Sequence, residues 1–172
     1  GVYWLRMPLP FSLNHINLWL LEDQHGWTIV DTGINTKACK QLWQQVFDQH
    51  LKGKPVTQLV VTHLHPDHVG LAGWLCERWN LTLQMSRTDY MTCRVLMSDT
   101  GKQAPQAAID FYCRAGVSEQ QLKTYKSKFG GYGKGIYAMP DHYLRLQDKD
   151  TVTMADAEWQ IIVGRGHAPE HV

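Results

Sequence analysis

Apolar and polar positions change rhythm several times along the chain, and each change marks an element. Residues 17–21 and 27–30 are short β-favouring runs separated by the turn-rich Glu22-Asp23-Gln24-His25-Gly26, and together they read as a hairpin. Asp31-Thr32-Gly33 ends the second strand. From Thr36 the apolar positions move to Ala38, Leu42, Val46, Phe47 and Leu51, the three-to-four spacing of an amphipathic helix that breaks at Gly53 and Pro55. Residues 58–61 predict another strand, which delivers the chain to Thr62-His63-Leu64-His65-Pro66-Asp67-His68-Val69-Gly70. A helix over 71–79 and an extended segment over 81–85 follow. This strand, loop and helix order is a βα crossover, and it places the chain in the layered α/β class.

Residues 86–127 carry apolar positions at helical spacing, interrupted by turn signals at Gly101 and at 116–118, and predict two or three helices. Between positions 129 and 135 glycine is so dense that a loop is expected rather than a regular element. Final strands are predicted over 151–154 and 159–163, feeding Gly164-Arg165-Gly166-His167-Ala168-Pro169-Glu170-His171. No internal repeat is visible.

Composition adds mainly exclusions. The chain has 172 residues, 44% of them hydrophobic and 19% charged, which suits one domain with a sizeable core and argues against disorder or coiled coil. Its 17 basic and 16 acidic residues leave a net charge of +1, so nothing global points to a nucleic-acid or membrane-surface partner. No apolar run approaches the length of a membrane span. Cys39, Cys76, Cys93 and Cys113 are widely spaced, form no CxxC pair and sit in helical-looking segments, as expected of small buried hydrophobes in a reducing, cytoplasmic setting.

The chemistry concentrates in one loop. His63, His65, Asp67 and His68 fall within six residues after a strand, a match on the order of one in a million per starting position at background frequencies. Alternation puts the imidazoles of His63 and His65 on one side of an extended segment, where both reach a single cation. Asp67 and His68 project elsewhere as the chain turns, offering an oxygen and a nitrogen to a second cation. This mixture of imidazole and carboxylate suits zinc, with iron or manganese as alternatives. Asp31 reads both as a turn aspartate and as a carboxylate that hydrogen-bonds the ligands. His15, His25, His50 and His142 have no companions at ligand spacing and are expected at the surface or in packing.

Thr62-His63-Leu64-His65-Pro66-Asp67-His68 resembles the HxHxDH signature of the metallo-β-lactamase superfamily of metallohydrolases. Asp31-Thr32-Gly33 resembles that superfamily's strand-end aspartate motif, and the stretch from Gly166 to His171 its downstream histidine motif. The resemblance implies an αββα sandwich. It also implies that His63, His65 and His167 hold a first metal, that Asp67 and His68 contribute to a second, and that His171 supports or merely packs. The family pattern continues to a bridging aspartate and a last histidine that no residue here matches. The chain is therefore expected to be an N-terminal portion of a longer protein. Its single domain would comprise the first sheet-and-helix half, a helical insert at 86–127 and a Gly-rich loop at 128–135.

The function expected on this resemblance is hydrolysis of a thioester, ester or lactone by metal-activated water, as in the glyoxalase II-like branch, on a small acyl substrate. Asp67 would bind metal and orient the nucleophile or handle its proton, and two zinc ions are expected in a complete site. A nuclease of the same fold is the alternative, although the near-neutral charge tells against nucleic acid. Lys123, Lys126, Lys128 and Lys134 among Tyr125, Phe129 and Tyr132 read first as a solvated helix face followed by a flexible loop, and otherwise as a basic and aromatic strip for a nucleic-acid backbone or an acidic thiol carrier. A noncatalytic metal-binding fragment is the other alternative. Loss of the second sheet would expose the core face of the first and favour a homo-oligomer through that face.

Overall fold

The computed structural model describes residues 1–172 throughout. Six strands form one sheet in chain order: β1 (Val2–Pro8), β2 (His15–Glu22), β3 (Trp27–Val30), β4 (Val56–Val60), β5 (Leu83–Ser86) and β6 (Tyr143–Leu146). The first three pair antiparallel, and β3 to β6 run parallel. Parallel neighbours need crossovers, and helices supply them. α1 (Lys37–Gln49) joins β3 to β4, while α2 (Pro66–Val69) and α3 (Ala72–Trp79) join β4 to β5.

Thr36 caps α1 by accepting the Cys39 N–H at 3.2 Å, and the helix buries Cys39, Trp43, Val46 and Phe47 against the sheet. α3 buries Ala72, Gly73, Leu75 and Cys76, and ends on Asn80 in the left-handed conformation. Phe47 stacks between Trp43 and Trp74, at ring-centre distances of 5.6 and 6.1 Å, locking the two helices side by side. These side chains, with Leu18, Leu20, Ile29, Leu59 and Leu83, make the main core on one face of the sheet.

The stretch after β5 contains three helices, α4 (Arg87–Ser98), α5 (Gln106–Arg114) and α6 (Glu119–Lys128), the last opened by a reciprocal Ser118–Gln121 capping box. The Gly-rich stretch contains a short 3-10 turn, Tyr132–Gly135, instead of being loop throughout. On the other face of the sheet, β7 (Thr151–Met154) and β8 (Ala157–Gln160) form a hairpin. Its Met154, with the following Ile161, packs on Leu21, Val60 and Leu146 in a second, smaller cluster.

Two strands have no sequence expectation behind them, β1 and β6, and both are edges of the sheet. Of β1 only Met7 is buried, and of β6 only Leu146, so neither carries the alternation by which a half-buried strand is recognised. The last strand also ends earlier than its apolar run. Ile161 leaves the hairpin to exchange backbone bonds with Lys149 and Asp150, which turns its side chain into the smaller cluster. Cys39, Cys76 and Cys93 are buried as expected, whereas Cys113 is exposed on α5.

Candidate metal centre

Parallel strands place their following loops at one end of the sheet, where β3 runs into Asp31 and β4 into the histidine loop. Asp31 sits there at φ 65°, a left-handed conformation that Asp tolerates better than most residues. Thr32 stitches the two loops together. Its N–H and hydroxyl both donate to the His68 carbonyl, at 2.8 and 2.6 Å, and its hydroxyl accepts the Leu71 N–H at 3.0 Å. Gly70 is needed where these loops cross, because a Cβ there would lie 2.3 Å from the Pro66 carbonyl oxygen, 2.6 Å from that of Gly135 and 2.7 Å from that of Gly33.

Three imidazole nitrogens converge at this point. His63 Nε2 lies 3.0 Å from His65 Nδ1 and 3.2 Å from His167 Nε2, and the last two are 3.1 Å apart. Nitrogens bound about 2.0–2.1 Å from one tetrahedral ion lie roughly 3.3 Å from each other, so the triangle fits a single cation with little adjustment. The rings descend from burial to exposure in the order His63, His65, His167, leaving one side of the triangle open to solvent. His167 reaches it from a loop closed by paired backbone bonds between Gly164 and His171, and the Val172 N–H donates to the Thr62 carbonyl at 3.0 Å.

Hydrogen bonds set which nitrogen of each ring is available. The Asp31 carboxylate can only accept, so the Thr62 hydroxyl donates to its Oδ2 at 2.8 Å and accepts the His63 Nδ1 proton at 2.9 Å. His63 Nε2 is thereby left with a lone pair. Asp31 Oδ2 also accepts the Nδ1 proton of His68 at 2.8 Å, and His68 Nε2 then faces Asp67 Oδ2 across 3.6 Å. Burial, followed by the neighbouring imidazoles of His68, His171, His65 and His167, drives the His63 pKa down to about 2. Burial and then His167 lower that of His65 as well. Burial also opposes the charged form of His68, but the hydrogen bond and charge of Asp31, with the charge of Asp67, outweigh it and raise its pKa. Two rings of the triad are therefore held neutral, as metal ligands must be.

His63, His65 and His167 thus meet in one triangle, while Asp67 and His68 form a separate pair beside it, and Asp31 stands behind both groups. His171 lays its ring on that of His63, 4.4 Å between centres, and makes no part of the triangle. His15 lines one cleft of about 430 Å³ with Leu13, Trp19, Asp31, His68 and His171, so it faces the site despite its distance in sequence. A second cleft of about 410 Å³ opens beside Asp67, between Phe11, Ile34, Asn35, Tyr132 and Lys134. Tyr90 stacks on Tyr143 at 3.9 Å and Arg94 pairs with Asp141 at 3.0 Å, which directs these two α4 side chains toward β6. Sequence reasoning missed Asp89, whose signal was a carboxylate in the first turn of α4, three residues after Ser86.

The sequence profile of the Metallo-beta-lactamase superfamily matches residues 12–172. Over 68 residues the chain is 35% identical to a Bacillus subtilis (strain 168) protein named Probable metallo-hydrolase YqjP, a match spanning 39% of this chain and 21% of that one. The fold superposes on a beta-lactamase domain protein from Burkholderia ambifaria with a TM-score of 0.85 and 42% identity, covering 99% of this chain and 49% of that one. Metallo-beta-lactamase family protein TTHA1429 from Thermus thermophilus gives a TM-score of 0.77 at 23% identity, covering 99% and 54%. The chain spans about half the length of these two structures.

Proposed function

The chain belongs to the metallo-beta-lactamase superfamily, and on that premise we propose that it carries the metal-binding loops of a metal-dependent hydrolase acting on a small acyl substrate. The observation that carries the proposal is the triangle of His63, His65 and His167, with its sides of 3.0, 3.1 and 3.2 Å and one open side. These residues would hold a first divalent ion. Asp67 and His68 offer an oxygen and a nitrogen to a second. Zinc suits this donor set best, since imidazole nitrogens outnumber oxygens. Bound there, such ions polarise a substrate carbonyl and lower the pKa of water towards neutrality.

The chain's own residues orient these groups. Asp31 and Thr62 hold Nδ1 of His63 and His68, so that each ring presents Nε2. Asp67 lines one cleft, where it would hold or pass a proton beside a bound substrate. That cleft mixes Phe11 and Ile34 with a single cationic side chain, Lys134. Such a lining supports a thioester, ester or lactone, of the kind handled by the glyoxalase II-like branch, over a polyanionic phosphodiester. Three buried, unpaired cysteines support a reducing, cytoplasmic setting.

Reconstitution with zinc, buffer exchange and elemental analysis test the ligand set. His65→Ala is expected to lose bound zinc, and His142→Ala, at an exposed position, to retain it. Equal retention in the two variants overturns the assignment. Thioester, lactone and phosphodiester hydrolysis by the zinc-loaded chain then separates the substrate classes.

A further inference from the structure

Asp89 is fully buried and belongs to none of the motifs. Its Oδ1 accepts the Leu64 N–H at 2.9 Å, and its Oδ2 accepts the Glu170 N–H at 2.7 Å and the Ser86 hydroxyl at 3.3 Å. Leu64 lies between His63 and His65, and Glu170 between His167 and His171. One carboxylate therefore ties together the two loops that supply the histidine triangle, which stand 102 positions apart in sequence. Glu170 returns the contact, its Oε2 accepting the Thr88 N–H at 2.9 Å, so the C-terminal loop and the first turn of α4 grip each other reciprocally. Leu64 is held from its other end as well. Its carbonyl accepts the Tyr132 hydroxyl, which lies 3.0 Å from Cys93 Sγ on α4.

We propose that Asp89 is a positioning residue for the metal centre, setting the spacing between the His63–His65 loop and the His167 loop through Leu64 and Glu170. The proposal rests on the metal reading given above. Only an ionised carboxylate presents two oxygens that both accept and neither donates. An asparagine of the same shape must turn its NH2 toward one of the two backbone N–H groups, losing that bond and opposing donor to donor. Through Asp89 the α4 segment thus fixes the distance between ligands that the sheet alone leaves on separate loops.

Asp89→Asn in the full chain tests this in two ways. In the metal-free protein, hydrogen exchange at Leu64 and Glu170 is expected to be slow in the wild type and fast in the variant at one or both amides, with other amides unchanged. In the loaded protein, the zinc dissociation constant by chelator competition is expected to rise about 10–100-fold, and the visible bands of the cobalt-substituted protein to shift as the ligand geometry relaxes. Wild-type exchange at both amides, or wild-type affinity together with an unchanged cobalt spectrum, overturns the proposal. Should Asp89→Asn fail to fold, Tyr132→Phe releases the same Leu64 peptide from its carbonyl side and is expected to shift the cobalt spectrum in the same direction; an unchanged spectrum there also overturns it. A wild-type chain that takes up neither metal overturns the metal reading instead, and the exchange arm still decides Asp89.

Discussion

Asp31 and His68 share a 2.8 Å hydrogen bond across 37 positions of sequence, and the same Asp31 oxygen accepts the Thr62 hydroxyl that supports His63. One carboxylate thus orients one ring of the triad and one ring of the neighbouring pair. Asparagine tolerates the left-handed backbone at this position, so Asp31→Asn isolates the side-chain chemistry. Whichever way the amide turns, its NH2 meets a donor, either the Thr62 N–H or the His68 and Thr62 protons. Zinc affinity by chelator competition is expected to fall about 10–100-fold. Wild-type affinity in this variant overturns the orienting role.

How much of this was legible in advance follows from where each partner sits. His63, His65, Asp67 and His68 lie within one turn of chain, so spacing alone exposed them. His167 is far from them in sequence and became visible only through resemblance to a family pattern. Asp89 left almost no trace, because its partners at Leu64 and Glu170 are backbone N–H groups that any residue supplies. The same holds for β1 and β6, where register is set by ladder bonds to β2 and β5 and not by an apolar face. Side-chain patterns are written in sequence; backbone partnerships between distant segments are not.

Gly70 carries a packing prediction. A Cβ there meets three backbone carbonyl oxygens, of Pro66 at the start of α2, of Gly135 at the end of the 3-10 turn and of Gly33 after β3, and none can swing aside as a side chain would. Gly70→Ala is expected to cost roughly 1–3 kcal/mol or more by overpacking. For a chain of this size that lowers the melting temperature by several degrees, at about 2–4 °C per kcal/mol. Differential scanning calorimetry checks it, and a melting temperature equal to wild type contradicts the close approach.

Acid sensitivity is expected from the other end of the sheet. Glu22 accepts hydrogen bonds from Lys52 Nζ at 3.0 and 3.1 Å, Tyr3 at 3.0 Å and Lys54 at 3.4 Å, and the Lys52 contact foremost, with Tyr3 and Lys54 and against burial, holds its pKa at about 2 instead of the usual 4.5. A depressed carboxylate stabilises the fold above its unfolded pKa, and the contribution fades as pH falls from about 4.5 towards 2. Wild type is therefore expected to be more stable than Glu22→Gln at neutral pH, with the gap closing through that window. Lys52 is largely exposed, so high salt should narrow the gap as well. A gap independent of pH in urea unfolding contradicts the ion-pair account.

The face of the sheet away from the helices carries the last prediction. Val2, Trp19, Leu21, Val30, Val60, Ile161 and Ile162 line an open apolar cleft of about 400 Å³ beside the β7–β8 hairpin. Trp19 is 42% exposed and Ile162 71%, both in a cleft without a charged lining residue. Water against such a surface is unfavourable, and in the chain by itself a second copy is proposed to cover it. Sedimentation velocity is expected to show species heavier than the 19.8 kDa chain, shifting to that mass when Trp19→Ser and Ile162→Ser are combined. Ile162 lines neither cleft at the histidine site, so zinc stoichiometry should stay the same in Ile162→Ser alone. A wild-type chain that sediments as a monomer at high concentration overturns the pairing and leaves the metal centre untouched.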